Sequence, residues 1–120
     1  MKKIKMNENR TKLPFRENCE GYLVFGDSLV ARNTEYGYID FLGGGVEKDE
    51  DIKEALKREA FEETGVILEG DLKEVGSMKT IWPNNWAKNE KQRKRFEKYK
   101  GDEMHFFYWK SKRICSAYRR

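Results

Sequence analysis

Glu59, Glu62 and Glu63 stand at i, i+3 and i+4, the spacing that puts three side chains on one face of a helix, within about 6 Å of one another. At 100° per residue, that face also carries Ile52, Ala55 and Leu56. An apolar stripe therefore turns acidic where a core-facing helix would continue with Leu or Val. Carboxylates aimed inward cost several kcal/mol each unless they are paired or bound to metal, and exposed ones still repel by ~0.2–0.5 kcal/mol per pair. A hard divalent cation would reverse the sign of that energy. Oxygen-only donors with no His or Cys nearby favour Mg²⁺ or Mn²⁺ over Zn²⁺. The alternative is an acidic face turned to solvent, and the spacing alone leaves both open.

The helix that must position these residues has readable ends. Asp49 or Asp51 can cap its start, and Gly65 after Thr64 supplies the stop. Upstream, residues 21–25 and 28–32 are β-rich runs joined by Gly26 and Asp27, which reads as a hairpin, and a third strand is expected over residues 36–42. Gly43, Gly44 and Gly45 should then break regular structure into a loop free to take positive φ. Downstream, strands are expected at residues 72–80 and 104–109, separated by a polar segment that opens with Trp82 and Pro83. Strands on both sides of a helix imply an α/β or α+β layer fold.

The chain has 120 residues, one domain's worth. Residues 1–15 read as a polar arm, residues 82–101 as a basic polar insertion and residues 110–120 as a basic tail. The net charge of +4 hides an asymmetry. Residues 88–120 hold 12 Lys or Arg against 4 Asp or Glu, whereas residues 47–63 hold 8 acidic and 4 basic side chains. The acidic patch calls for a cation. The basic stretch 88–100 reads as a solvated helix, or else as a surface that attracts phosphates. No apolar run approaches the roughly 18 residues of a membrane helix, and the opening residues lack an apolar signal core, so the cytoplasm is the expected compartment and no membrane partner is expected. Cys19 and Cys115 lack metal or redox spacing and read as structural or incidental thiols.

From Gly44 to Val66 the sequence fits the pattern G-x5-E-x7-R-E-U-x-E-E-x-G-U, with U apolar, at every defined position. The chain thus resembles the Nudix hydrolases, which cleave a nucleoside diphosphate linked to another moiety with Mg²⁺ or Mn²⁺ held on a loop-helix-loop. That resemblance implies a single α/β/α sandwich over a mixed β-sheet. It implies metal ligation by Glu59, Glu62 and Glu63, with a main-chain carbonyl of Gly43 or Gly44 as a further ligand. Glu50 corresponds to the first glutamate of the box, near metal or water, and Arg58 to the arginine that orients a glutamate. Glu54 and Glu62 lie four residues either side of Arg58, in reach along a helix.

In many members the general base is a glutamate outside the box. Glu103, which opens the strand expected beside the box helix, is the candidate, while His105, the only histidine, reads as a sheet residue. Trp82, Trp86 and Tyr99 could stack on a base, though aromatic residues in this number more often fill a core. Arg93 and Arg95 are candidates for holding substrate phosphates. Two departures from the family stand out. Asp49 occupies a position where glycine is common, and after Trp109 the chain continues with a short basic tail in place of the closing strand and helix, so that the sandwich is expected to have a shortened C-terminal end. The expected activity is metal-dependent diphosphohydrolysis of a nucleotide-like substrate such as a dNTP, a nucleotide sugar or a dinucleoside polyphosphate. The alternative is a nucleotide- or RNA-binding module with little turnover, which the intact box carboxylates disfavour.

Overall fold

Strand β1 (Phe15–Phe25) begins where the polar arm was expected to end, and its odd positions explain it: Cys19, Gly21, Leu23 and Phe25 are all buried on one side. The computed structural model describes residues 8–111 and 115–116. Within them the order is α1 (Glu8–Thr11), β1, β2 (Ser28–Leu29), β3 (Ala31–Asn33), β4 (Ile39–Gly45), α2 (Ile52–Thr64), β5 (Val66–Ile67), β6 (Lys73–Ile81), α3 (Glu90–Lys98), β7 (Gly101–Ser111) and β8 (Cys115–Ser116). The main sheet runs β3-β4-β1-β7-β6, with β2 folded back on β1. The β1–β7 pair is parallel, in register from Phe15 opposite Gly101 to Phe25 opposite Ser111, and its other pairs are antiparallel. This is the mixed sheet that the resemblance implied.

Helix α2 packs on β4 and β1. Its Ala55, Leu56 and Ala60 meet Leu23, Leu42 and Phe107, all essentially inaccessible to water. Each large apolar side chain buried this way contributes about 1.5–3 kcal/mol. Both helix ends are as expected. Asp51 accepts from the backbone N–H groups of Lys53 and Glu54, and Gly65 closes the helix at φ 75° with its N–H on the Phe61 carbonyl. On the opposite sheet face, Tyr22 packs edge-on against Phe41 at 4.9 Å and stacks with Phe106 at 6.3 Å.

Four expectations change. The third strand starts later than expected and runs through Gly43, Gly44 and Gly45, none of which has positive φ. Those glycines are needed for room: a Cβ at Gly43 would lie 2.0 Å from the Cys19 carbonyl oxygen, and one at Gly44 2.6 Å from the Glu59 carboxyl carbon. The positive φ falls instead on Asp49, at 64°. The stretch read as a polar arm contains α1, and the basic tail contains β8, which pairs with β5. Residues 1–7, 112–114 and 117–120 of the arm and tail lie outside the described residues. Finally, the strands that α2 mainly packs on are β4 and β1, with β7 on the far side of β1.

Helices α1 and α3 gather where β1 and β7 begin. Arg10 lies over the Phe96 ring and donates to the Phe96 and Tyr99 carbonyls, while the Lys100 N–H donates to the Pro14 carbonyl. No residue of α3 is buried, as expected of a solvated helix.

Candidate functional site

Arg58 organises the acidic face. Its Nε donates to Glu50 at 2.8 Å, Nη1 reaches Glu59 at 3.0 Å and Glu62 at 3.2 Å, and Nη2 donates to Glu50 and to the Gly45 carbonyl at 3.0 and 3.1 Å. One planar fork therefore fixes three carboxylates and the end of β4, which the compact ammonium of a lysine could not do. The contact with Glu50 is the main reason its carboxyl lies below the ordinary range, and it holds the guanidinium firmly charged. Glu54, the other residue one turn away, turns instead to Lys57 at 3.6 Å.

The three box glutamates are not equivalent. Glu59 and Glu63 are enclosed, with side chains 19% and 13% exposed, whereas Glu62 is 56% exposed. The spacing placed all three on one face with Ile52, Ala55 and Leu56 and left open whether it turns to metal or to solvent. The helix turns Glu62 outward, and its tie to the site runs through Arg58. Burial pushes the Glu63 carboxyl up to about 7, and the facing Glu59 carboxyl adds to that, against the opposing pull of Arg32 and of the Gly43 N–H. Arg32 Nε comes to 3.0 Å from Glu63 Oε2 without the alignment of a hydrogen bond, so that buried oxygen has no hydrogen-bond partner among the described residues.

These features test the site against a divalent cation. A buried carboxylate oxygen without a hydrogen bond, a second carboxylate tucked under the Cβ-less Gly44 and a donor set made of oxygen fit a hard ion such as Mg²⁺ or Mn²⁺. The Gly44 carbonyl already takes the Cys19 thiol at 3.5 Å. Burial raises that thiol to about 11, which keeps it protonated.

Beside the box loop lies an open cleft of about 680 Å³, lined by Phe15, Glu17, Glu47, Glu50, Tyr99 and Glu103 among others. Glu103 thus lines the cleft from β7, as Glu50 does from the box loop. Behind it His105 places Nδ1 2.9 Å from Glu74 and Nε2 3.3 Å from Glu103. Glu17, Glu103 and His105 hold ligand atoms within 4.8 Å of one another. His105 is therefore a sheet residue, as expected, but one that contacts the cleft carboxylates.

The proposed substrate contacts fare differently from one another. Trp82 is 4% exposed, stacks on Trp86 at 3.8 Å and donates its indole N–H to Asp102 at 2.8 Å. Its ring is enclosed, the core-filling role that the sequence favoured over stacking on a base, and is not an open surface for substrate. Arg93 is turned to solvent and paired with Glu90 at 3.1 Å, whereas Arg95 lines a basic groove. Tyr99 borders both cleft and groove.

Sequence reasoning missed Arg16, Glu17 and Arg32. Arg16 and Glu17 fall at the junction of the polar arm and the first strand, where extending the Cys19, Gly21, Leu23, Phe25 alternation backwards would have placed them in β1. Arg32 carries no local signal, because only the β3–β4 pairing brings it to Glu63.

Known structures share this fold. Three similar solved structures are a mutant of the Bacillus subtilis pyrophosphohydrolase BsRppH (TM-score 0.59, 20% identity, 92% of this chain), a MutT protein from Bacillus halodurans (0.57, 19%, 85%) and the E. coli dihydroneopterin triphosphate pyrophosphohydrolase (0.54, 12%, 87%). At these identities the likeness is one of fold. The matches cover 59%, 59% and 77% of those chains, so this chain spans well under two thirds of the length of the two Bacillus proteins. No curated protein matches it in sequence. The family model for the NUDIX domain matches residues 15–113, from the first residue of β1 to beyond β7, and the chain belongs to the NUDIX domain family.

Proposed function

We propose that the chain is a Mg²⁺- or Mn²⁺-dependent diphosphohydrolase that cleaves a nucleoside diphosphate joined to another moiety. The observation that carries this reading is the enclosed Glu59–Glu63 pair under the glycines of β4, with Arg58 fixing Glu50 and Glu59 beside it. Carboxylates would not be packed against one another for stability alone. Glu59, Glu63 and, from the exposed side, Glu62 would hold the ion, with the Gly43 main chain at hand. When bound, such an ion polarises phosphoryl oxygens and lowers the pKa of water.

The chain's own residues do the rest. Arg58 keeps Glu50 and Glu59 in place and is consumed by them, so it supports the site and leaves phosphate binding to others. Glu103, which lines the same cleft as Glu50, would take the proton of an attacking water. Phe15 and Tyr99 give the cleft aromatic walls. The named functions of the structural neighbours, pyrophosphohydrolases among them, support the same bond class. A nucleotide-like substrate follows from this reading, and no helix among the described residues is long and apolar enough to cross a membrane.

The test is release of a phosphate-containing product with and without Mg²⁺ or Mn²⁺ across dNTPs, nucleotide sugars and dinucleoside polyphosphates. Metal-dependent turnover of at least one class is expected. Absence of turnover in every class with either metal would contradict the proposal.

A further inference from the structure

Helix α3 arranges its charges on one face. Lys91, Lys94, Arg95 and Lys98 fall at i, i+3, i+4 and i+7 and, with Arg16 and Tyr99, line a groove of about 290 Å³. No carboxylate lines it, and among the described residues no ion pair reaches any of the four helix cations. Like charges at this spacing repel along a helix, and α3 has no buried residue whose packing would offset that cost. Two other arginines show the contrast: Arg58 meets four carboxylates and Arg93 is paired with Glu90.

Arg16 is built into this groove. Its guanidinium donates to Asn18 Oδ1, and the Asn18 amide in turn donates to Asp102 at 2.7 Å, which also holds the Trp82 indole. Asn18 is itself buried. Arg16 also lies against Gly45, where a Cβ would come within 2.3 Å of Nη2. Burial, together with the neighbouring Arg95, disfavours its charge, and Asp102 only partly opposes them. A polyanion in the groove would relieve that repulsion.

A cationic track beside an aromatic ring is the chemistry that holds single-stranded nucleic acid: lysines and arginines follow the phosphates, and a ring stacks on a base. We propose that the groove formed by Arg16, Lys91, Lys94, Arg95, Lys98 and Tyr99 binds the phosphodiester chain of a single-stranded oligonucleotide. From Lys91 to Lys98 the helix rises about 10 Å, longer than one phosphate-to-phosphate step of an extended strand. Tyr99 forms a wall of both groove and cleft, so a strand in the groove has one end at the box loop. That last point rests on the cleft being the hydrolytic site; binding in the groove does not.

The test is fluorescence anisotropy with a short labelled oligouridylate in EDTA, where turnover is suppressed and the fate of the hydrolase reading cannot affect the outcome. Lys94→Glu with Lys98→Glu should weaken binding at least about tenfold at low salt. It should also flatten the slope of log Kd against log salt by about 1.4, since each phosphate contact on a single strand contributes about 0.7. Lys94→Gln with Lys98→Gln should do the same to a smaller degree, and melting curves check that both variants fold. Tyr99→Ala should weaken binding about fivefold or more with the slope unchanged. Lys53→Glu with Lys73→Glu, the same charge change outside the groove, should alter Kd less than about threefold. Equal losses from the two double charge reversals would show a long-range field and overturn the site. A wild-type protein that binds the oligomer no more tightly than a mononucleotide triphosphate would overturn the proposed ligand.

Discussion

Helices α2 and α3 carry opposite net charge, and they differ in what answers that charge. In α2 each enclosed glutamate faces a partner within the chain. Arg58 answers Glu50 and Glu59, and Arg32 approaches Glu63. Three buried side chains lock the helix to the sheet. In α3 nothing is buried, and among the described residues no carboxylate pairs with the groove cations. A charge answered within the fold is part of a rigid site, whereas an unanswered row of charge is a surface awaiting a ligand.

The comparison breaks most severely at Arg58. Arg58→Met strands Glu50, Glu59 and Glu62 beside one another and should cost about 1–3 kcal/mol of stability, discounted because the site is partly exposed. In the proposed reaction it should also lower kcat by at least about 10², since positioning errors of 1 Å cost that much. Arg58→Lys should recover little, because the fork is what reaches Glu50, Glu59 and the Gly45 carbonyl together. Full rescue by lysine, read from melting and turnover, would show that charge alone suffices.

A second effect separates acidic from basic regions by pH. With its carboxyl raised to about 7 in the fold, Glu63 binds a proton more tightly folded than unfolded. Its contribution to stability is therefore complete below the ordinary carboxylate value and is lost as pH rises through about 7. Metal-free protein should lose stability across that window, and Mg²⁺ should restore more of it at pH 8 than at pH 5.5. Glu63→Gln should flatten both trends. Melting temperatures in EDTA and in Mg²⁺ at the two pH values decide it, and a Mg²⁺ gain independent of pH would exclude Glu63 from the ion's site.

The smallest effect sharpens the basic side. Arg95→Glu should raise KM about threefold or more at low salt with little change in kcat, and the difference should shrink as salt screens exposed charge within about 8–10 Å. Arg93→Glu should stay within about twofold throughout, because Arg93 faces Glu90 and solvent. Equal effects would return both arginines to a general field.

Much of this contrast was legible in the residues. The box spacing placed α2, its caps and the Arg58 tie to Glu62, because those depend on helical periodicity, whereas Glu54, equally in reach, turns to Lys57 and the tie to Glu50 comes from the loop before the helix. Glu62 turning outward and the Glu63 approach to Arg32 depend on sheet packing, which periodicity does not encode. The glycines show a different failure. Gly43 and Gly44 were read for backbone freedom, yet the fold uses them for lack of a side chain, and the left-handed residue is Asp49. Trp82 was read by residue type alone, and its burial follows from a partner twenty residues away, Asp102. The basic stretch 88–100 was read as a whole with Arg93 and Arg95 singled out, so that the face of Lys91, Lys94, Arg95 and Lys98 emerges only in the fold, where β1 adds Arg16.

The central claim is that the enclosed glutamates of α2 exist to hold a cation that drives hydrolysis. Its most direct test is kcat of Glu63→Gln at saturating Mg²⁺ on whichever nucleotide derivative the wild-type protein turns over. Glutamine keeps the shape and removes the charge, so kcat should fall at least about 10², given the size of electrostatic contributions at such sites. Equal rates for variant and wild type in metal-saturated assays would contradict the account.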